Sequence, residues 1–204
     1  MNALRDPEAT RAHLLEVAAE EFRARGYEGA SLSDILARAG VSKGGLYHHF
    51  ASKQALGYAV FDEILVPYFF GKWQGPLSMQ DPIQGLYELM TFFATSMTDE
   101  QLAVGCPMNK MATELGQSDD GIRDRAQAAF NTLREQFCEA FSKAKERELV
   151  AADTDTRAAS AFIVASIQGL TLQGQHSGDM DSFRSGVLCL ANYILSLKGH
   201  TPKT

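Results

Sequence analysis

Apolar residues recur at three- and four-residue intervals along almost the whole chain, and no alternating strand-like run interrupts them. The pattern predicts an all-α protein. Leu14, Leu15, Ala18, Ala19 and Phe22 line one face of a first helix, which Asp6-Pro7 opens and Gly26 closes. Ser31 and Asp34 have capping-box spacing, so a second helix starts near Leu32 or Ser33 and carries Ile35, Leu36 and Ala39 inward. Gly40 stops it and Val41 turns into the core. Ser42 then caps a third helix of about two turns, with Leu46 and Phe50 inward. Ser52 opens a longer helix running toward Trp73 through Leu56, Val60, Ile64, Phe69 and Phe70, and Pro67 should kink or break it. Residues 71–80, rich in Gly and Pro, read as a loop. Asp81-Pro82 opens the next helix, with Ile83, Leu86, Leu89, Met90, Phe93 and Met97. A break is expected over 98–105, then a helix from Pro107 to about Leu115. A long helix follows from Asp119 or Asp120 through Ile122, Ala126, Phe130, Leu133, Phe137, Phe141 and Ala144.

Two apolar stripes end the chain. From Thr156, Ala158, Ala161, Ala165 and Gly169 recur beside Phe162 and Leu172. From Asp181, Phe183, Val187, Leu190, Ile194 and Leu197 form a second stripe. Both are too apolar to face water. They fit either the core of one chain or a contact between two chains, and periodicity does not separate the alternatives.

The third helix is the informative element. Its outer face carries Lys43, Gly44, Gly45, Tyr47, His48 and His49. It is too polar and glycine-rich for a core helix, yet sharply capped. Each glycine costs roughly 1 kcal/mol against alanine inside a helix, and close backbone approach to a ligand such as a phosphodiester is one reason to accept that. Two helices joined by a short glycine turn make the helix-turn-helix unit, whose second helix enters the major groove of DNA. Such turns also join ordinary surface helices.

The segments RARGYEGAS, DILARAGVSKGGLYHHF and SKQAL, within residues 10–56, resemble the DNA-binding domain of the TetR family of bacterial repressors. The resemblance implies a head at 1–53 with three helices, and a helical effector-binding and dimerisation body at 54–204. It implies phosphate contacts from Tyr47 and Lys53 and a base-facing set of Lys43, Gly44, Gly45 and His48, with Ser33 and Ser42 beside them. Relatives often carry Ser, Ala or Thr where this chain has Gly45, so one base contact is missing here. The family dimerises through a four-helix bundle of its last two helices, which implies an interface of Phe162, Ala165, Gly169, Phe183, Val187, Leu190 and Ile194. The function implied is a homodimeric repressor on a palindromic double-stranded operator, released by a small-molecule inducer or by thiol modification.

Charge agrees with a small DNA-reading head. The 204 residues carry a net −6. Residues 1–53 hold seven Lys/Arg and seven Asp/Glu, so the body carries the whole excess. A neutral head on an acidic body implies weak non-specific affinity and reliance on a matched, dimeric site. No apolar run approaches the ~18 residues a bilayer span needs, and MNALRDPEAT lacks the features of a signal peptide. A cytoplasmic protein with no membrane partner is expected. Cys106, Cys138 and Cys189 fit no metal motif or disulfide framework, so neither metal nor cofactor is expected.

In Gly105-Cys106-Pro107 the proline suits the first position of a helix, which makes Cys106 its N-cap. Free backbone N–H groups there favour a reactive thiolate. The body segments GCPMNKMATELGQSDDGIRDR and QGLTLQGQHSGDMDSF resemble, more loosely, a TetR branch that includes electrophile- and bleach-responsive repressors. One relative pairs the matching cysteine with a lysine, and Gln175 stands at that place here. Cys106 is therefore either a sensor or a packing residue, whereas Cys138 and Cys189 sit in helical patterns. Phe69, Trp73, Phe93, Met97, Met108, Met111, Phe130 and Phe137, with Gln168, Gln175 and His176 as polar anchors, are candidates for an effector pocket around Cys106. The alternative function is a cysteine-dependent hydrolase or transferase using Cys106 with His176.

Overall fold

A computed structural model describes residues 6–199; Met1–Arg5, part of the segment read for a leader, and His200–Thr204 lie outside the described residues. The described chain is all-α: α1 (Pro7–Gly29), α2 (Leu32–Ala39), α3 (Lys43–His49), α4 (Lys53–Val60), a π-helical turn (Phe61–Leu65), α5 (Val66–Ser78), α6 (Pro82–Ser96), α7 (Asp99–Val104), α8 (Pro107–Leu115), α9 (Asp120–Glu146), α10 (Thr156–Ser177) and α11 (Met180–Ser196). An isolated antiparallel bridge joins Val150 to Lys198.

The chain divides into two compact units, but not at 53/54. The first takes the chain through Phe69 together with Pro107–Gln127; the second takes Phe70–Cys106 and the chain from Ala128 onward. The reason is burial. The two short helices α2 and α3 cannot cover the apolar face of α1, so α4 adds Leu56 and Val60, the π turn adds Phe61 and Leu65, and α8 adds Met108, Met111 and Leu115. Leu14, Leu15, Ala18, Phe22, Ile35, Leu46 and Phe50 complete this core. The π turn also accommodates Pro67. The Val66 amide bonds to Phe61 O, which widens the helix just before a residue with no N–H, so no break occurs there.

In the second unit α11 packs along α6 and against α10, and α10 meets α7. Two expectations fail here. Residues 71–78 are helical rather than a loop, despite Gly71, Gly75 and Pro76. The buried Trp73, 2% exposed, is edge-on to Phe93 and Phe137 at 6.4 and 5.8 Å, so tertiary packing overrides local propensity. Residues 99–104 form α7 rather than a break, held by a full capping box in which Thr98 and Gln101 exchange backbone-to-side-chain bonds.

The second terminal stripe is also corrected. Phe183, Val187, Leu190 and Ile194 are all at most 5% exposed, turned into the unit that contains α6 and α10 rather than outward to a partner. Periodicity marks a buried face without saying what buries it. The α10 residues Phe162, Ala165 and Gly169 remain exposed, with Phe162 at 52% and edge-on to Tyr193 at 4.7 Å. The outer surface of α11 beside them carries Leu188 and Cys189.

Candidate nucleic-acid interface

The helix-turn-helix follows its caps. Ser31 Oγ accepts the Asp34 amide at 3.1 Å and starts α2; Gly40 ends it in the left-handed conformation, φ 63°, ψ 27°. Ser42 Oγ accepts the Gly45 amide at 3.1 Å and starts α3. Leu46 and Phe50 anchor the inner face of α3 in the core. A network outside the expected set fixes α2 on α1. The buried Glu21 takes Arg38 Nη1 at 2.5 Å and Arg25 Nε at 3.4 Å. Arg38 Nη2 reaches Glu20 at 2.6 Å, and Arg25 Nη1 reaches Asp34 at 2.9 Å. A buried carboxylate between two guanidinium groups fixes one register, because any slip strands its charge. The Glu21/Arg25 i,i+4 spacing was visible in the sequence; Arg38 as the partner was not.

The outer face of α3 is open. Lys43, Gly44, Tyr47 and His48 are exposed, with Tyr47 at 45%. Lys43 Nζ lies 5.9 Å from the Tyr47 ring centre, and His48 meets His49 edge-on at 5.0 Å. Ser42 is exposed although its Oγ serves as a cap. Ser33 is exposed at the start of α2, with its Oγ 2.8 Å from Ser31 Oγ. Lys53, the first residue of α4, rests its ammonium 4.4 Å from the Tyr27 ring centre. This places point charges, an aromatic hydroxyl and an imidazole around one short helix, the donor set that meets phosphates and base edges.

The two glycines have different causes. A Cβ on Gly45 would lie 2.8 Å from Val41 Cγ1, so that glycine is required by the packing of the turn itself. A Cβ on Gly44 would meet nothing nearer than Ser42 Oγ at 3.9 Å. Gly45 therefore has an internal explanation, and only Gly44 leaves open space on the outer surface.

The proposed effector residues do not come together as one set. In the second unit Trp73, Phe93, Phe137 and Phe141 form a chain of edge-on rings. Met97, which caps the end of α6, and Phe130 and Gln168, on α9 and α10, are half-buried in the same unit. Phe69, Met108 and Met111 are core residues of the first unit, where Met111 packs beside Gly57 of α4. Their helical stripe reflected packing on the head. Half-buried Cys106 immediately precedes α8. Gln175 touches its neighbours: Nε2 donates to Val104 O at 3.2 Å, and its amide fills the space beside Gly105. His176 instead lines an open groove of about 490 Å³ with Leu170, Gln173, Gly174, Ser177, Asp179, Ser182 and Phe183. Cys106 is not part of that groove, and Asp179 already accepts the Ser182 hydroxyl at 2.6 Å. Among the described residues no cluster of His, Cys, Asp and Glu is placed to hold a metal ion, and no helix is long and apolar enough to cross a membrane.

Comparison with known proteins agrees with this geometry. Residues 14–60 match the family model for bacterial regulatory proteins of the tetR family, and residues 82–187 match the tetracyclin repressor-like C-terminal domain. The HTH-type transcriptional repressor DhaR of Mycobacterium sp. strain GP1 is 30% identical over 166 residues, covering 80% of this chain and 81% of that one. The A-factor receptor protein of Streptomyces griseus is 28% identical over 187 residues, 92% of this chain and 63% of that one. A TetR transcriptional regulator from Chloroflexus aurantiacus J-10-FL superposes with a TM-score of 0.81 at 25% identity, covering 97% of this chain and 100% of that one. The reduced form of E. coli NemR shares the fold, with a TM-score of 0.78 at 20% identity, covering 96% of this chain and all of its own. With a family model matched over each part of the chain and a named repressor 30% identical across four-fifths of it, the chain belongs to the TetR family of transcriptional regulators.

Proposed function

We propose that this regulator is a homodimeric repressor that binds a palindromic operator and is released by a small-molecule inducer. The observation that carries the reading is the capped, two-turn α3 with Lys43, Gly44, Tyr47 and His48 outward and Lys53 beside them. On this reading α3 lies in the major groove, His48 and Lys43 meet base edges, and Tyr47 and Lys53 meet phosphates. Pairing two heads requires a self-complementary surface. The exposed Phe162, Ala165, Gly169 and Leu188, with the half-buried Tyr193 beside Phe162, supply one, and a second copy of the chain is its occupant. The inducer site is drawn from the second unit, around the Trp73–Phe93–Phe137 rings.

The test is fluorescence anisotropy with a duplex that the protein selects from a randomised pool. Lys53→Ala should weaken binding to all sequences alike and flatten the salt dependence by about 0.9 for each phosphate no longer neutralised. His48→Ala should alter which sequences are selected. Unchanged affinity and slope for Lys53→Ala would remove the docking model. Thiol control is the second reading, favoured by half-buried Cys106 at the entry to α8. Under it, Cys106→Ser binds DNA normally but resists release by an electrophile or hypochlorous acid.

A further inference from the structure

We infer that Glu114 and Asp119 are positioning residues for DNA binding, acting through Lys53. The inference rests on the reading that Lys53 meets a phosphate. Helix α1 breaks at Gly26, φ 76°. Just past the break, the Tyr27 and Glu28 amides donate to the two oxygens of Glu114 on α8, at 2.9 and 2.7 Å. A Cβ on residue 26 would lie 2.9 Å from Glu114 Oε2, so the carboxylate occupies the space that glycine leaves. Two charge-assisted bonds to consecutive amides fix the backbone at Tyr27. Its ring packs 5.2 Å from Phe22 and carries the Lys53 ammonium on its face. Burial, with the nearby Glu28, Asp119 and Glu114 charges, pushes the Tyr27 hydroxyl up to about 12, so the ring stays neutral beneath the cation.

The helix that carries Lys53 is held from the same segment. Gln54 Nε2 donates to Asp119 Oδ2 at 2.9 Å, and the Tyr58 hydroxyl donates to Asp119 Oδ1 at 2.6 Å. Asp119 also caps α9 through the Ile122 amide at 3.1 Å. Arg125 lies over the Tyr58 ring at 4.2 Å and bridges to Asp62 at 2.9 Å, which steadies the far side of α4. The ring beneath Lys53 and the first turns of its helix are thus both anchored by carboxylates of residues 107–127. Neither anchor lies within the helix-turn-helix. A lysine on a flexible stem loses rotamer freedom when it meets a phosphate; a lysine already seated on a fixed ring loses less.

The test is a double-mutant cycle read by anisotropy on the duplex selected from a randomised pool. Asp119→Asn retains capping ability at α9, Tyr58→Phe removes one hydroxyl, and Glu114→Gln leaves one acceptor oxygen for two amides. Each should lower operator affinity roughly threefold to tenfold while keeping the salt slope, because Lys53 still reaches its phosphate. In a Lys53→Ala background each should cause no further loss. Equal losses in both backgrounds would mean the carboxylates only hold the fold together and would overturn the inference. Tyr58→Phe guards against misfolding, and thermal melts of every variant expose any that unfold. A silent Lys53→Ala would instead overturn the phosphate reading, and the inference with it.

Discussion

Gly44 and Gly45 are neighbours on α3 and should respond in opposite directions to one added methyl group. Alanine gains about 0.8–1 kcal/mol over glycine in a helix interior, and less in a first turn. At Gly44 nothing offsets that gain, because the new Cβ meets only Ser42 Oγ at 3.9 Å. At Gly45 the Cβ lands 2.8 Å from Val41 Cγ1, well inside the ~3.5–4.0 Å of an ordinary carbon contact. Val41 is β-branched and stiff at χ1, so relief requires the turn to open. Such overpacking costs about 1–3 kcal/mol. Gly44→Ala should therefore stabilise by up to about 1 kcal/mol, and Gly45→Ala should destabilise by up to about 2 kcal/mol. At roughly 2–4 °C per kcal/mol for a chain of this size, a gap of up to about 3 kcal/mol should set the two melts up to about 6–12 °C apart. Circular dichroism at the helix band measures this directly. Anisotropy on the selected duplex adds the functional half, in which Gly44→Ala is the more stable protein but the weaker binder. A Gly45→Ala melt at or above that of Gly44→Ala would refute the reasoning, since the strain against Val41 would then relax without cost.

Leu190→Ala should destabilise by about 2–5 kcal/mol in urea titration, as its side chain is in the core. If the proposed dimer forms through the α10 strip, Phe162→Asp should leave the melt near wild type and give a monomer in sedimentation where the wild type is a dimer; a dimeric Phe162→Asp would place the interface elsewhere. With Lys53 of each of two paired heads on a phosphate, the affinity should fall with salt at a slope of about −1.8, and a slope twice as steep would show that the head engages phosphates through cations beyond Lys53. Glu63 is held below the usual carboxylate range chiefly by its hydrogen bond from Arg11. Partial burial pushes the Asp119 carboxyl up, but bonds from Gln54, Tyr58 and two backbone amides outweigh it and bring it below that range. A depressed folded value contributes stability above the unfolded carboxylate range of about 4, lost as pH falls through the folded values. Glu63→Gln/Asp119→Asn should therefore flatten the drop in melting temperature below about pH 4.

What was legible in the sequence was local. Ser31, Ser42 and Ser52 announced three helix starts through one hydroxyl and one amide each, and all three bonds are present. Gly40 announced its turn. Thr98 and Gln101 carried the same kind of signal for α7, which the polarity around them obscured. Residues 71–78 were illegible in principle, because their helix depends on burying Trp73 among rings distant in sequence. The Phe183–Ile194 stripe gave the buried face of α11 but not its partner, which is a property of the whole unit. The Glu114 and Asp119 anchors bridge about 60 to 90 residues, as the bonds from Gln54 to Asp119 and from Tyr27 to Glu114 show. No local pattern encodes such a pair.

The ion pairs also explain how an acidic chain can serve a DNA-reading role without becoming a general polyanion binder. Of the cations in the head, Arg11 is held by Glu63, Arg25 by Asp34 and Glu21, and Arg38 by Glu20 and Glu21. Their charge is neutralised inside the fold, where it sets helix register. Lys43 and Lys53 rest instead on aromatic rings, which hold a cation without cancelling its charge. Few phosphates can then be neutralised per head, and a net charge of −6 repels the rest of the duplex. Replacing Glu20, whose carboxylate binds Arg38 on the surface at 54% exposure, separates the two roles. Glu20→Gln leaves Glu21 to hold α2 in register while it releases one positive charge to the head. Non-specific binding to a scrambled duplex should then rise and its salt slope steepen, with the melt nearly unchanged. If Glu20→Gln bound scrambled DNA no better than wild type, the paired arginines would not be what limits non-specific affinity.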